Sequence, residues 1–191
     1  MTGGVRKEQS QLETKYHRRS IRLTEFDYSQ PGAYFVTLAT YQRAELFGRT
    51  VDGGMQSNRQ GEIVKEEWFA SANIRKEIRL YPEEFVVMPN HIHGIVWIED
   101  VPNVGATGQS PLPMKQQTHP HGPAPKSLAS FIVGFKSSIT KRIRNEFGGV
   151  GVWQRNYYEH IIRNEKEWDV IRRYIESNPQ NWETDEENPK T

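Results

Sequence analysis

The sequence predicts an α+β fold of the ferredoxin-like type: an antiparallel sheet with helices on one face, followed by an added C-terminal helix. The apolar residues follow strand and helix periods in the order strand, helix, strand, strand, helix, strand, helix. Strand, helix, strand twice over is the split βαβ arrangement. A chain of 191 residues with 35% hydrophobic content supports one core. We therefore expect a flexible arm at 1–18, one domain at 19–182 with a mobile loop at about 100–126, and an acidic tail at 183–191.

The first half of the chain predicts a strand, a loop and a helix. Residues 33–40 are rich in β-branched and aromatic side chains, which favour a central strand. Residues 43–61 are loop-like, with a turn at Gly53-Gly54. Over 62–80 the apolar residues change to helical spacing, which predicts an amphipathic helix packed on the sheet.

The second half predicts a hairpin, two more helices and one more strand. Short apolar runs separated by Pro89-Asn90 predict the hairpin. Ser127 and Asn164 are suitable N-caps for the two helices. The predicted elements are strands 85–88, 91–98 and 152–162, and helices 127–147 and 164–178.

Two histidines alternate with apolar residues in the second strand of this hairpin. Successive strand side chains point to opposite faces, so His91 and His93 share one face and Ile92 points into a core. Two imidazoles held side by side on a rigid sheet are a candidate pair of metal ligands. His119 and His121 lie in a polar tract without periodicity, and we do not expect a metal site there.

Composition excludes several classes of function. The chain has no cysteine, which rules out disulfides, thiolate zinc sites and cysteine nucleophiles. Lys plus Arg (25) nearly balances Asp plus Glu (24), so only local patches can indicate a nucleic-acid partner. No apolar run is long enough to cross a bilayer, and we expect a cytoplasmic protein with no membrane partner.

The last helix carries a second pair of polar residues. Tyr174 and Asn178 are four residues apart and so lie on one helical face. If that helical face packs against the two histidines, the cleft between helix and sheet holds two imidazoles, a carboxamide and a phenol. A phenol near a cation can act as a nucleophile. A half-buried tyrosine and a helix-terminal asparagine are the structural alternatives for the pair.

Three motifs in this order resemble those of a known family. They are His91-Ile92-His93 with the preceding Met88-Pro89-Asn90, the block 153–163, and Tyr174 to Pro179. The combination resembles the single-tyrosine transposases of the HUH endonuclease superfamily, and most closely the REP-associated tyrosine transposases. The resemblance covers roughly 19–182.

The resemblance implies a reaction and a set of roles. His91 and His93 match the metal-binding histidines, Tyr174 the nucleophile, and Asn178 the third ligand, where relatives often carry Gln. Such enzymes cut and rejoin single-stranded DNA beside hairpins of repetitive palindromic elements, through a 5′-phosphotyrosine. The implied cofactor is Mg²⁺ or Mn²⁺, although imidazoles alone suit Zn²⁺, Cu²⁺ or Ni²⁺ better. A monomer and a homodimer are both compatible with the sequence.

We expect DNA contacts from cationic side chains, with Tyr157, Tyr158 and Trp153 available for base stacking. The candidate cations are Arg18, Arg19, Arg22, Lys136, Lys141, Arg142, Arg144, Arg155, Arg172 and Arg173. Two other functions stay open: a non-catalytic protein that binds nucleic-acid hairpins, and a histidine-based, metal-dependent phosphohydrolase. A histidine-triad hydrolase is disfavoured because Ile95 stands where the third alternating histidine belongs.

Overall fold

The computed structural model describes residues 27–100, 122–149 and 151–189. Within these ranges the elements are, in chain order, β1 (Gly32–Ala39), β2 (Gly48–Val51), β3 (Gly54–Ser57), α1 (Arg59–Ile74), β4 (Ile78–Arg79), β5 (Phe85–Val87), β6 (His91–Ile98), α2 (Leu128–Phe147), β7 (Tyr158–Ile162) and α3 (Glu165–Ser177). Short 3₁₀ segments precede β5 and follow β1 and α3. None of the helices in these ranges is long and apolar enough to span a membrane.

The main sheet has the strand order of the split βαβ arrangement. β7 pairs with β1, and β1 pairs with β6 along its whole length. β4 and β5 both pair with the other side of β6, and every pairing is antiparallel. The predicted fold class is confirmed.

Strand alternation divides the core between the two faces of the sheet. Val36, Leu38 and Ile92 point to the face covered by α1 and α2, where they join Trp68 and Phe131. Phe35 and Ile95 point to the other face, where they pack against Ile171 and Ile175 of α3. The added C-terminal helix thus covers the sheet face opposite to α1 and α2.

Gly94, directly after the two histidines, leaves space on the sheet for the aromatic ring of Trp68. A Cβ atom on Gly94 would lie 2.5 Å from Cζ2 of Trp68. Trp68 is fully buried and stacks on Phe85 of β5. Any larger residue at position 94 would force the Trp68 ring out of its present position against the strand that carries the histidines.

Two predicted boundaries in the first half were wrong. Residues 48–57, expected to be loop, form the β2–β3 hairpin, although its turn lies at Asp52-Gly53 beside the predicted Gly53-Gly54. The helix expected over 62–80 begins at Arg59 and ends at Ile74. It ends early because Ile78, which fits the helical pattern, pairs with Ile98 at the sheet edge.

The strand expected over 152–162 is shorter in the structure. β7 begins only at Tyr158, and the preceding residues make an isolated bridge between Trp153 and Thr40. The Lys136 ammonium donates to the carbonyl oxygens of Gln154 and Asn156 at 2.8 and 3.1 Å. Those two carbonyl oxygens therefore accept hydrogen bonds from a side chain of α2 and not from the backbone of a neighbouring strand.

Candidate metal centre and nucleic-acid surface

The two histidines lie at the start of β6, opposite the end of β1. His91 is paired with Ala39 and His93 with Thr37. Both imidazoles are buried, and their Nε2 atoms lie 3.0 Å apart. Ile92 is fully buried on the other face. The alternation predicted from the sequence is therefore present.

Hydrogen bonds to the Nδ1 atoms fix the orientation of the two imidazole rings. The amide nitrogen of Asn90 donates to the carbonyl oxygens of Arg43 at 3.2 Å and Glu187 at 2.6 Å. Its oxygen is thereby directed at His91, whose Nδ1 lies 2.8 Å away. His91 thus carries its proton on Nδ1 and keeps the lone pair of Nε2, which is the tautomer that binds a metal through Nε2.

Thr37 supports the second imidazole in a similar way. Its hydroxyl lies 2.8 Å from Nδ1 of His93. A hydroxyl both donates and accepts, so Thr37 is compatible with either tautomer of His93. The Phe35 ring stacks against the same imidazole and restricts its rotation.

Helix α3 brings Tyr174 to this pair. The phenol oxygen lies 3.2 Å from Nε2 of His93. The half-buried tyrosine ring also meets Phe35 edge-on, with ring centroids 6.1 Å apart. Phenol and imidazoles therefore share one cleft between α3 and the sheet.

Asn178, one turn beyond Tyr174, is also buried beside the cleft. Its amide nitrogen donates to Oδ2 of Asp185 at 3.2 Å. Its buried side-chain oxygen has no hydrogen-bond partner among the residues that the structure describes. A buried acceptor without a donor is costly unless a cation or water satisfies it.

Asp185 is the residue that sequence reasoning missed. Its carboxylate is buried, and one of its oxygens lies within 4.8 Å of a ring nitrogen on each of His91 and His93. The described part of the acidic tail packs over the centre, since both Asp185 and Asn188 are buried. Trp182, which directly precedes the tail, meets the His91 ring. The polar groups of this segment can be buried because they bond to one another: Asn188 donates to the carbonyl oxygen of Trp182 at 2.9 Å. No periodicity in the sequence signals this carboxylate.

The arrangement fits a divalent ion. Two nitrogen ligands about 2.1 Å from one six-coordinate ion, at a right angle, lie about 3.0 Å apart. The His91 and His93 Nε2 atoms have this separation. The Asp185 carboxylate could supply the hard oxygen ligand that Mg²⁺ and Mn²⁺ prefer, and it would offset part of the charge of a bound ion.

The two neighbouring tyrosines of the block 153–163 face opposite sides of the sheet. The Tyr158 ring meets Phe35 edge-on and so lies on the α3 face. Tyr157 packs on the α1 and α2 face, where the Lys136 ammonium lies 5.7 Å from its ring centroid. Trp153 is partly buried and packs against Phe47 and Phe135 at the edge of the core.

The structure separates the predicted DNA-binding cations into groups. Arg142 forms ion pairs with Glu66 and Glu67 of α1, at 2.5 and 2.7 Å. Arg172 and Arg173 both face Asp169 on their own helix. Arg18, Arg19 and Arg22 lie outside the described residues, as do His119 and His121. The remaining four, Lys136, Lys141, Arg144 and Arg155, line one groove.

Comparison with known proteins agrees with this fold. No protein-family model matches the chain. An uncharacterized protein of Haemophilus influenzae is 38% identical over 180 residues, which cover 92% of this chain and 98% of the other. The solved structure of a REP-associated tyrosine transposase bound to a REP hairpin superimposes with a TM-score of 0.51 and 20% identity, over 83% of this chain and 73% of that one. The chain thus belongs to one family with the Haemophilus influenzae protein and has the fold of the REP-associated tyrosine transposases.

Proposed function

We propose that this protein is a metal-dependent endonuclease of the transposase class, which cuts and rejoins single-stranded DNA through a covalent tyrosine intermediate. The observation that carries the proposal is the convergence of Tyr174, His91, His93 and Asp185 in one buried cleft. The structural relative bound to a REP hairpin supports hairpin DNA as the substrate.

In the proposed reaction the Tyr174 oxygen attacks the scissile phosphorus. A bond forms between the phenol oxygen and phosphorus, the bond from phosphorus to the 3′ oxygen breaks, and the products are a 5′-phosphotyrosine and a free 3′-OH. The phenolic proton passes to solvent, and the leaving 3′ oxygen takes up a proton. The reverse attack by a 3′-OH rejoins the strand, so no external energy source is required.

The residues around Tyr174 prepare this step. Phe35 and the His93 ring hold the phenol at the cleft, which reduces the entropy lost on reaching the reactive geometry. His91, His93 and Asp185 are the proposed ligands of a divalent ion, with the Asn178 oxygen as a further ligand. When bound, the ion supplies a Lewis acid that stabilises charge building on the phosphate.

A covalent-adduct assay tests the proposal. The protein is incubated with Mn²⁺ and a hairpin oligonucleotide that has single-stranded flanks, and the products are analysed by intact-mass and peptide-mapping spectrometry. We expect an adduct on Tyr174 that Tyr174→Phe does not form. Tyr158→Phe is the matched control, because Tyr158 also contacts Phe35 on the same sheet face and should leave the adduct unchanged.

Other results would reject the assignment. An adduct that maps to Tyr158, or one that persists in Tyr174→Phe, excludes Tyr174 as the nucleophile. Binding of the hairpin without any adduct favours a non-catalytic hairpin-binding protein. Hydrolysis without an adduct favours the metal-dependent phosphohydrolase.

A further inference from the structure

A groove between the C-terminal half of α2 and residues 151–155 lies on the sheet face opposite to the metal centre. Its volume is about 520 Å³. Its lining includes four cationic side chains, Lys136, Lys141, Arg144 and Arg155, and no carboxylate of the residues that the structure describes. A concave surface of this kind concentrates positive potential, although the whole chain has a net charge of only +1.

Within the described part of the chain, no acidic side chain neutralises the charge of this groove. None of the four cations forms an ion pair with another residue that the structure describes, whereas Arg142 on the same helix pairs with Glu66 and Glu67. Burial also lowers the pKa of Lys136 to about 8. An anionic ligand would supply the missing countercharge.

The remaining lining favours a nucleotide over a simple anion. Val152 and Trp153 provide apolar surface, and Thr140, Asn145 and Gln154 provide hydroxyl and amide groups. A nucleobase needs both, since its faces are apolar and its edge carries hydrogen-bonding groups. A cavity of about 520 Å³ is of the size that encloses a small ligand. A paired and stacked base of a duplex cannot enter it without being flipped out.

Backbone pairing connects the groove to the metal centre. Gln154 N donates to the carbonyl oxygen of Ala39 at 2.9 Å, and Ala39 is the β1 residue paired with His91. Tyr41, two residues further along, donates its N–H to the carbonyl oxygen of Val152, and its side chain is 57% exposed. Groove and histidines therefore lie at the same end of the sheet, and the exposed Tyr41 belongs to the segment that joins β1 to the groove wall.

We propose that this groove binds one unpaired nucleotide of single-stranded DNA, with the adjoining phosphates on Lys141, Arg144 and Arg155. The further statement that it holds the strand to be cut at the metal centre rests on the proposed function. Lys136 organises the groove, because its ammonium holds two carbonyls of the opposite wall.

A binding assay with matched charge variants tests the groove. The probe is a fluorescein-labelled thymidine homopolymer, measured by anisotropy with EDTA present and in a Tyr174→Phe background. The groove variant combines Lys141→Ala, Arg144→Ala and Arg155→Ala. It should bind the homopolymer at least tenfold more weakly, and the slope of log affinity against log salt should become shallower by about two. The control variant combines Lys65→Ala, Lys76→Ala and Arg79→Ala, which removes the same number of positive charges outside the groove. Its affinity for the homopolymer should stay within twofold of that of the parent. A groove variant no weaker than this control overturns the proposal.

A second measurement tests the unpaired nucleotide. 2-Aminopurine placed in a single strand should change its fluorescence on binding, and Gln154→Ala with Asn145→Ala should reduce that change. A blunt duplex of equal charge should compete at least tenfold more weakly. Equal competition by the duplex, or a fluorescence change that the double variant does not alter, would mean that the surface contacts only phosphates.

The two proposals can fail separately. Groove binding is measured without metal and without the nucleophile, so it can be established even if no covalent adduct ever forms. If the wild-type protein forms the Tyr174 adduct while the groove variant binds the homopolymer as tightly as its control, the groove assignment is wrong and the proposed function stands.

Discussion

The phenol oxygen of Tyr174 lies 3.2 Å from Nε2 of His93, so the end of α3 and the start of β6 are joined by a polar contact. Phe35 contacts both rings. Such a contact between a phenol and an imidazole needs α3 to be fixed precisely on the sheet, and Glu84 provides part of that fixation.

Glu84→Gln should loosen the helix that carries Tyr174. The buried Glu84 carboxylate accepts the indole N–H of Trp97 on β6 at 2.6 Å and that of Trp168 on α3 at 2.5 Å. Glutamine keeps one acceptor, so one indole N–H is left without a partner, at a cost of about 1–3 kcal/mol in the free energy of unfolding. Denaturant titration measures this loss, and adduct formation should slow.

Affinity for Mn²⁺ should not change in this variant, because Glu84 does not touch the proposed ligands. Glu83→Gln is the control, since Glu83 is exposed and should alter neither property. Equal stability of the Glu84→Gln and Glu83→Gln proteins would show that the bridge does not hold α3.

Asp185→Asn should weaken metal binding, because the variant replaces a carboxylate ligand with a neutral amide. We expect Mn²⁺ affinity, followed by electron paramagnetic resonance of free Mn²⁺, to fall by about tenfold or more. His91→Ala and His93→Ala should reduce it further. Asn178→Ala should have the smaller effect if its oxygen is an additional ligand. An Asp185→Asn protein that binds Mn²⁺ like the parent would return the third ligand position to Asn178.

Ile92→Asp should unfold the protein, although its two neighbours are the proposed ligands. Ile92 is fully buried on the α1 and α2 face, and a carboxylate there would have neither water nor a cation. We expect a loss of at least about 3 kcal/mol in the free energy of unfolding. Ile74→Asp makes the same exchange at a side chain that is 81% exposed and should change stability by less than about 1 kcal/mol. Similar thermal midpoints for the two variants would contradict the strand register.

The affinity for single-stranded DNA should fall as pH rises through about 8, the pKa to which burial lowers the Lys136 ammonium. Below that pH the side chain is charged and contributes to phosphate attraction, and above it the contribution is lost. Arginine stays charged over the whole range, so Lys136→Arg should show a flatter profile between pH 7 and 9. Parallel profiles for the two proteins would show that Lys136 does not titrate in this window.

Local periodicity in the sequence was sufficient to predict how several residues of the site are placed relative to one another. The alternation of strand residues placed His91 and His93 on one face and Ile92 on the other, and helical spacing placed Tyr174 and Asn178 together. These relationships involve residues at most four positions apart, so the backbone geometry of a single element determines them. The strand and helix order likewise determined the split βαβ fold, since few topologies connect such elements.

Only the tertiary structure decided which other groups join the site. Asp185 reaches the histidines because the chain turns back after α3. It is one of several carboxylates in an acidic segment, and no sequence period singles it out. Arg142 and Arg144 look equivalent in the sequence, yet only Arg142 meets the carboxylates of α1. Whether a cation is neutralised depends on the partner that packing brings to it, and the sequence around that cation does not contain this information.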